Sequence, residues 1–209
     1  MSDFSSGVIA PVKTIQTELL AITAIAANAQ QKSSTLDITG YKSATIFIDH
    51  ARDATTAFNA VGTEYKVQVS EKATGNDTWR TISSVVCDIT AAADIVMDEL
   101  EPAGETVIAC GATLPAVNDK VFFKNSTLAN SEWGTVVAIV STGGSESFTL
   151  SDGLTNAQAA LAHMYNKAEQ FVMKFNVEDY TRLRVVVNNN NAATTNVAIV
   201  SRIACTASV

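Results

Sequence analysis

Charge of either sign is scarce in this chain, and so are aromatics, prolines and the residues that usually carry chemistry. Of 209 residues, 17% are charged and 7% aromatic, with 3 Pro, 3 Cys and 2 His. Lys and Arg number 14 against 21 Asp and Glu, for a net charge of −7. Duplex DNA is held by Lys and Arg that neutralise phosphates, so this balance argues against tight nucleic-acid binding. The longest apolar run, LLAITAIAANA, is too short and too rich in Ala and Thr to cross a bilayer. The opening residues MSDFSSGVIA hold no basic segment followed by an apolar one, so no secretory signal is expected. Cys87, Cys110 and Cys205 are odd in number and none forms a CxxC pair. Buried, reduced thiols made in a reducing cytoplasm are the expectation.

The usual reaction centres are also missing. There is no HExxH, GxSxG, P-loop or GxGxxG. His50 and His163 stand at no ligand spacing from a cysteine, so a zinc site is not expected. The stretch IDHARD gathers Asp49, His50, Arg52 and Asp53 at a strand end, as an acid/base cluster or, more simply, a polar cap. Asp98 and Glu99 are neighbours in sequence and on a strand would face opposite sides. No enzyme, metal or cofactor is expected from these residues. Between Arg80 and Lys120 the chain has no Lys or Arg but carries Asp88, Asp94, Asp98, Glu99, Glu101, Glu105 and Asp119. That is a solvated acidic edge, or alternatively a calcium site, although the spacing fits no EF-hand loop.

What the chain does have is strand grammar. It is long enough for one large domain or two small ones, and could bury ~70% of its unfolded surface. GTEYKVQVSEK puts Tyr65, Val67 and Val69 on one face and Glu64, Lys66 and Gln68 on the other, as a half-buried antiparallel strand does. ATGNDTW then turns the chain toward Trp79. QFVMKFNV, YTRLRVVV and VAIVSRIAC alternate in the same way near the end, and residues 17–30 read as a strand rather than a helix. TLDITGYKSATIFIDH and KFNVEDYTRLRVVVNN repeat one unit, with Ile38, Tyr41, Ala44, Ile46 and Ile48 matching Val177, Tyr180, Leu183, Val185 and Val187. Two such corner-and-strand units could pair in one sheet or face each other across a core. Between them, short strands with glycine-containing turns over 101–168 suggest a small barrel, and Leu154, Ala157, Leu161, Met164 and Tyr165 fit a short helix.

The expected fold is all-β: an antiparallel β-sandwich, jelly-roll or Ig-like, with an inserted barrel-like subdomain and at most one short helix. Residues 1–16 form an N-terminal arm, 17–100 and 169–209 the two parts of the sandwich, and 101–168 the insertion. Phe4, Val8, Ile9 and Val12 are spaced along the arm as candidate inter-subunit contacts, and Trp133 is a candidate ligand-stacking residue, with Trp79 a second.

The stretch 17–90, with LDITGYKSATIFID and VQVSEKATGNDTW, and the ending LRVVV with its final strand resemble small virion structural proteins of tailed bacteriophages and prophages. The resemblance implies a β-sandwich assembled in many copies in the virion. It would be a capsid decoration or cement protein stabilising the head by multivalent contacts with the major capsid protein or other virion proteins, and a homo-oligomer. It would have no membrane partner. A head–tail connector or tail component is one alternative, and a receptor- or carbohydrate-binding module of a fibre or baseplate is another. Deleting residues 2–14 is expected to weaken sedimentation with empty capsids while leaving the circular dichroism spectrum unchanged. Normal capsid binding by the truncated chain would remove the arm from the contact.

Overall fold

The computed structural model describes residues 14–52, 62–76, 78–87, 94–111, 113–143, 146–160, 162–191 and 199–209. These residues form strands β1 (Thr14–Ile25), β2 (Gln30–Lys32), β3 (Leu36–Asp37), β4 (Ser43–Arg52), β5 (Thr63–Ser70), β6 (Arg80–Cys87) and β7 (Asp94–Val96). They continue with β8 (Val107–Cys110), β9 (Lys120–Phe123), β10 (Glu132–Ser141), β11 (Glu146–Leu150), β12 (His163–Asn176), β13 (Arg182–Asn189) and β14 (Ile199–Ser208). All pairings are antiparallel.

Two sheets make the sandwich. One runs β1-β14-β4-β12; the other runs β2-β13-β5-β6, with β3 also on β13. Period-2 alternation aims Ala44, Ile46 and Ile48 of β4, and Ile203, Cys205 and Ala207 of β14, into one core. Tyr65, Val67 and Val69 of β5 and Leu183, Val185 and Val187 of β13 meet them from the other sheet. Each fully buried Val or Ile contributes about 1.5–3 kcal/mol relative to exposure, which is why the alternation fixes the register.

The repeated unit is real in three dimensions. Thr39 N–H donates to the Asp37 carboxylate at 2.9 Å, and Glu178 N–H donates to the Asn176 side-chain oxygen at 3.0 Å. Tyr41 N–H then closes on Ile38 O, and Tyr180 N–H on Val177 O, both at 3.0 Å. The corners also bond each other: Ile38 N–H to Thr181 O and Val177 N–H to Lys42 O, both at 2.9 Å. The strands that follow, β4 and β13, lie in opposite sheets and share the core.

The middle of the chain builds a small barrel at the other end of the sandwich. Its strands run β7-β12-β9-β10-β11-β8. Gly111 N–H donates to Val96 O at 3.1 Å and Asp98 N–H to Ala109 O at 3.2 Å, returning β8 to the β7 side and closing the ring. Ile95, Met97, Ile108, Val121, Phe123, Val136, Phe148, Leu150 and Met164 fill it. The barrel therefore takes in β7, upstream of 101. The long strand β12 crosses position 168, pairing with β7 and β9 at its start and with β4 from Glu169 onward. At the other boundary, residues 14–16 are not arm but strand, paired with 206–208.

The helix expected over 154–165 is not formed. Gln158 and Glu101 exchange two backbone hydrogen bonds, at 2.9 and 3.0 Å, and Leu154 is buried in the barrel. Met164 and Tyr165 belong to β12. Pairing with strands already present supplies the backbone partners that an isolated short helix would have to make alone.

Gly153 sits hard against a neighbouring turn. A Cβ there would stand 2.5 Å from the Gly104 carbonyl oxygen. The two turns are joined by Gly104 N–H to Leu154 O at 2.7 Å and Leu154 N–H to Glu105 O at 2.9 Å. Gly153→Ala is expected to destabilise the chain by ~1–3 kcal/mol through overpacking, read from the urea midpoint. An unchanged midpoint would show that the turns separate at no cost.

Candidate functional site

Both tryptophans are half-buried and packed against other parts of the chain. Trp133, on β10, is half-buried and tilts against Phe122 with ring centroids 4.9 Å apart. Its indole N–H donates to His50 O at 3.1 Å, and the Arg202 guanidinium lies 5.5 Å from its ring. With Ile22, Leu128, Ala51, Tyr165 and Val200 it fills the joint between barrel and sandwich. Trp79 is likewise covered, by the guanidinium of Arg184 at 4.1 Å and that of Arg182 at 4.8 Å. Arg182 also donates to Lys72 O and Gly75 O and so holds the 71–76 loop. The stacking role expected for Trp133 thus finds its ring engaged by internal partners. Phe4, Val8, Ile9 and Val12 lie outside the described residues.

The IDHARD stretch does not form one cluster, because strand alternation splits it. Asp49 faces outward, where its carboxylate accepts from Arg202 Nε at 2.7 Å and Gln170 Nε2 at 2.8 Å. His50 and Arg52 face inward and are fully buried. They continue the row of Ala44, Ile46 and Ile48, so the apolar face of β4 turns polar as it reaches the barrel. Asp53 lies outside the described residues.

That inward turn assembles a buried polar group that sequence spacing does not reveal. Glu169 of β12 and Ser201 of β14 stand directly opposite His50 on its two flanking strands. Tyr65 and Thr63 come from β5, and Cys87 pairs with Thr63 from β6. The Tyr65 hydroxyl and His50 Nδ1 are 2.9 Å apart, with the two rings edge to face. His50 Nε2 has no hydrogen-bond partner among the described residues. Ligand atoms of His50, Cys87 and Glu169 lie within 4.8 Å of one another. Burial, reinforced by the nearby Arg52 charge, lowers the His50 pKa to about 3, so its imidazole is neutral at physiological pH. Burial and then Cys87 raise the Tyr65 phenol well above its ordinary value. The one available sequence signal was parity: His50 falls on the inward register set by Ile46 and Ile48.

Four carboxylates of the acidic stretch serve as local caps or pairs, Asp98 and Glu99 are exposed, and Asp88 lies outside the described residues. Glu101 is buried and accepts Ala109 N–H at 2.8 Å; its pKa is raised by burial, against that hydrogen bond. Glu105 accepts Thr106 and Val107 N–H, Asp119 accepts Ala116 N–H, and Asp94 meets His163 at 2.8 Å. Among the described residues, no three of these carboxylates converge on one point.

The surface offers one unusual feature. β10 pairs with β9 only through Glu132–Thr135, and with β11 from Val136 onward. Val136 still exchanges hydrogen bonds with Asn118 and Asp119. Beyond it, the β9 side of β10 carries no strand among the described residues. Val137, Ile139 and Val140, on this stretch, are 43–48% exposed. No charged residue interrupts 133–141. A second, smaller apolar spot joins Val172, 65% exposed, to its cross-strand neighbour Phe47 on the outer face of the sandwich.

No protein-family model matches the chain, and no curated protein matches it. Among solved structures it is similar to a chain in the structure of infectious bursal disease virus Gt strain, at 7% identity and a TM-score of 0.25. The match covers all of this chain and 44% of that one, and at that TM-score it carries no argument.

All three cysteines are buried and none is in a disulfide, and burial pushes the Cys110 and Cys205 thiols up to about 11. Since the thiolate is the reacting form, Cys110 and Cys205 of the native chain should alkylate at least ~100-fold more slowly than an unstrained free thiol at neutral pH. Intact-mass counting before and after denaturation checks this. Native labelling of either at the free-thiol rate would mean that its strand opens.

Proposed function

We propose that the chain is a structural protein of a tailed-bacteriophage virion, a decoration or cement protein that stabilises the head through many weak contacts. The observation that supports this reading is the bare edge of β10. An open strand edge is a template for pairing with another chain, and soluble proteins ordinarily blunt it with Lys, Pro or a covering segment. Here Val137, Ile139 and Val140 are exposed on a run without charge or proline, on the barrel that the sandwich carries outward. Addition of a partner's strand would satisfy the unpaired backbone, and the exposed aliphatic side chains would supply the apolar contact. Each such contact is small. Repetition over a symmetric particle multiplies it through effective concentration.

The sandwich suits this task because its cores are conventional and its buried polar groups are shielded. The net charge of −7 keeps free copies apart in solution. A head–tail connector or tail component would use the same edge at another place in the particle. The receptor-binding alternative rests on the two tryptophans and the barrel; the Trp133 ring is engaged by Phe122 and Arg202, and the Trp79 ring by Arg182 and Arg184.

Ile139→Lys puts a charge on an exposed position and should change folding stability by less than ~0.5 kcal/mol. Capsid binding should weaken roughly tenfold or more, since the loss repeats at every copy. Sedimentation of wild type and variant with expanded empty capsids measures it. Equal binding by the two proteins would remove the β10 edge from the contact. A wild-type chain that ignores heads but associates with tails would move the role to the connector or tail.

A further inference from the structure

We propose that His50, Cys87 and Glu169 form a binding site for a single divalent transition-metal ion of the zinc type, at the junction of sandwich and barrel. The donor set of one imidazole, one thiolate and one carboxylate is the mixture that zinc accepts. The three side chains come from β4, β6 and β12, so they are far apart in sequence and brought together by the two sheets. Their ligand atoms already lie within 4.8 Å of one another. A tetrahedral zinc with bonds of ~2.0–2.3 Å sets its donors ~3.5 Å apart, so closing the site needs movements of little more than ~1 Å.

His50 carries a second observation. It is fully buried, and Nε2 has no hydrogen-bond partner among the described residues. With Nδ1–H donating to the Tyr65 oxygen 2.9 Å away, the Nε2 lone pair is uncommitted. That outer hydrogen bond is the device by which metal-binding histidines are oriented. The thiol must ionise: the Cys87 S–H bond breaks, the sulfur keeps the electron pair and bonds the metal, and the proton goes to solvent. Binding therefore releases the thiol proton and strengthens as pH rises.

The charges facing the site decide its selectivity. Thiolate and carboxylate together balance a dication. Arg52, on the same face of β4, is a positive charge that works against any cation here, so both anionic ligands are needed for the ion to bind. Hard ions that want many oxygens find one carboxylate here among the described residues, which disfavours calcium and magnesium. A bound ion would tie the two sheets to each other and to the strand that carries the barrel.

The test uses the full chain, stripped with a chelator and titrated with Co2+ and then Zn2+. One Co2+ per chain is expected, with a thiolate-to-cobalt charge-transfer band that Zn2+ abolishes, and a higher melting temperature with Zn2+. Cys87→Ser should lose the band, and Cys205→Ser, buried elsewhere in the core, should keep it. Should Cys87→Ser not fold, Glu169→Gln at a half-buried position should weaken Zn2+ binding roughly tenfold or more by calorimetry. The proposal is overturned by an absence of saturable Co2+ uptake, by a band that survives in Cys87→Ser, or by an unchanged Zn2+ affinity in Glu169→Gln.

Discussion

Two reciprocal backbone hydrogen bonds, Ile38 to Thr181 and Val177 to Lys42, govern how this chain is arranged. Each corner supplies a donor at the start of its turn and an acceptor just past its end, so the pair has the character of a local two-fold axis. The corners reach the same shape by different routes. Gly40 takes φ 79 in one turn, a conformation open to glycine, whereas Asp179 holds the equivalent position without a positive φ. Once the corners are joined, β4 and β13 must leave on opposite sheets with their apolar residues facing one core. One end of the sandwich is thereby closed.

The other end has to accept what the chain still carries. β6 leaves there toward the barrel, and β12 returns through the barrel into the sheet beside β4. Polar side chains concentrate at this junction, where the inward row of β4 passes from Ile48 to His50 and Arg52. Burying His50, Arg52, Thr63 and Ser201 there is costly unless their polar atoms find partners. Removing one member of such a group commonly costs more than the group contributes. The joint is sealed by a separate apolar cluster on the outer side, where Trp133 bridges from β10 to the backbone of β4. Barrel and sandwich are thus held by a continuous strand, a hydrogen-bonded tryptophan and a buried polar row.

The sandwich could be read from residues because its energy lies in a period-2 pattern. Val67 and Val69 alternate with polar Lys66 and Gln68, while Ile46 and Ile48, and Val185 and Val187, keep the same inward parity around apolar Phe47 and Val186, and that parity has one low-energy register. The corner repeat was visible for the same reason: turn residues and apolar residues recur at equal offsets. Its meaning was not visible, since the same spacing permits pairing in one sheet or facing across the core, and only the cross-corner hydrogen bonds decide. The helix expected over 154–165 failed because helical spacing in a short segment is weaker than two backbone bonds to Glu101. The group of His50, Cys87 and Glu169 was hidden for a third reason. Its members meet through strand pairing, which brings together residues with no fixed sequence interval, so no motif spacing could mark them.

The bare edge of β10 raises a question of selection between partners. An uncharged apolar edge invites association with any extended chain, and that includes another copy of itself. Two features of the structure limit that outcome. The open stretch is short, running from Val137 to Ser141, so a single added strand gains few hydrogen bonds and binds weakly alone. The chain also carries an excess of acid, which repels a second copy approaching in solution. On the proposed reading, weak pairing would become effective where a scaffold holds many copies at fixed positions. On that same reading, the scarcity of charge on β10 and the surplus of acid elsewhere would serve one end: association that depends on an ordered array rather than on concentration.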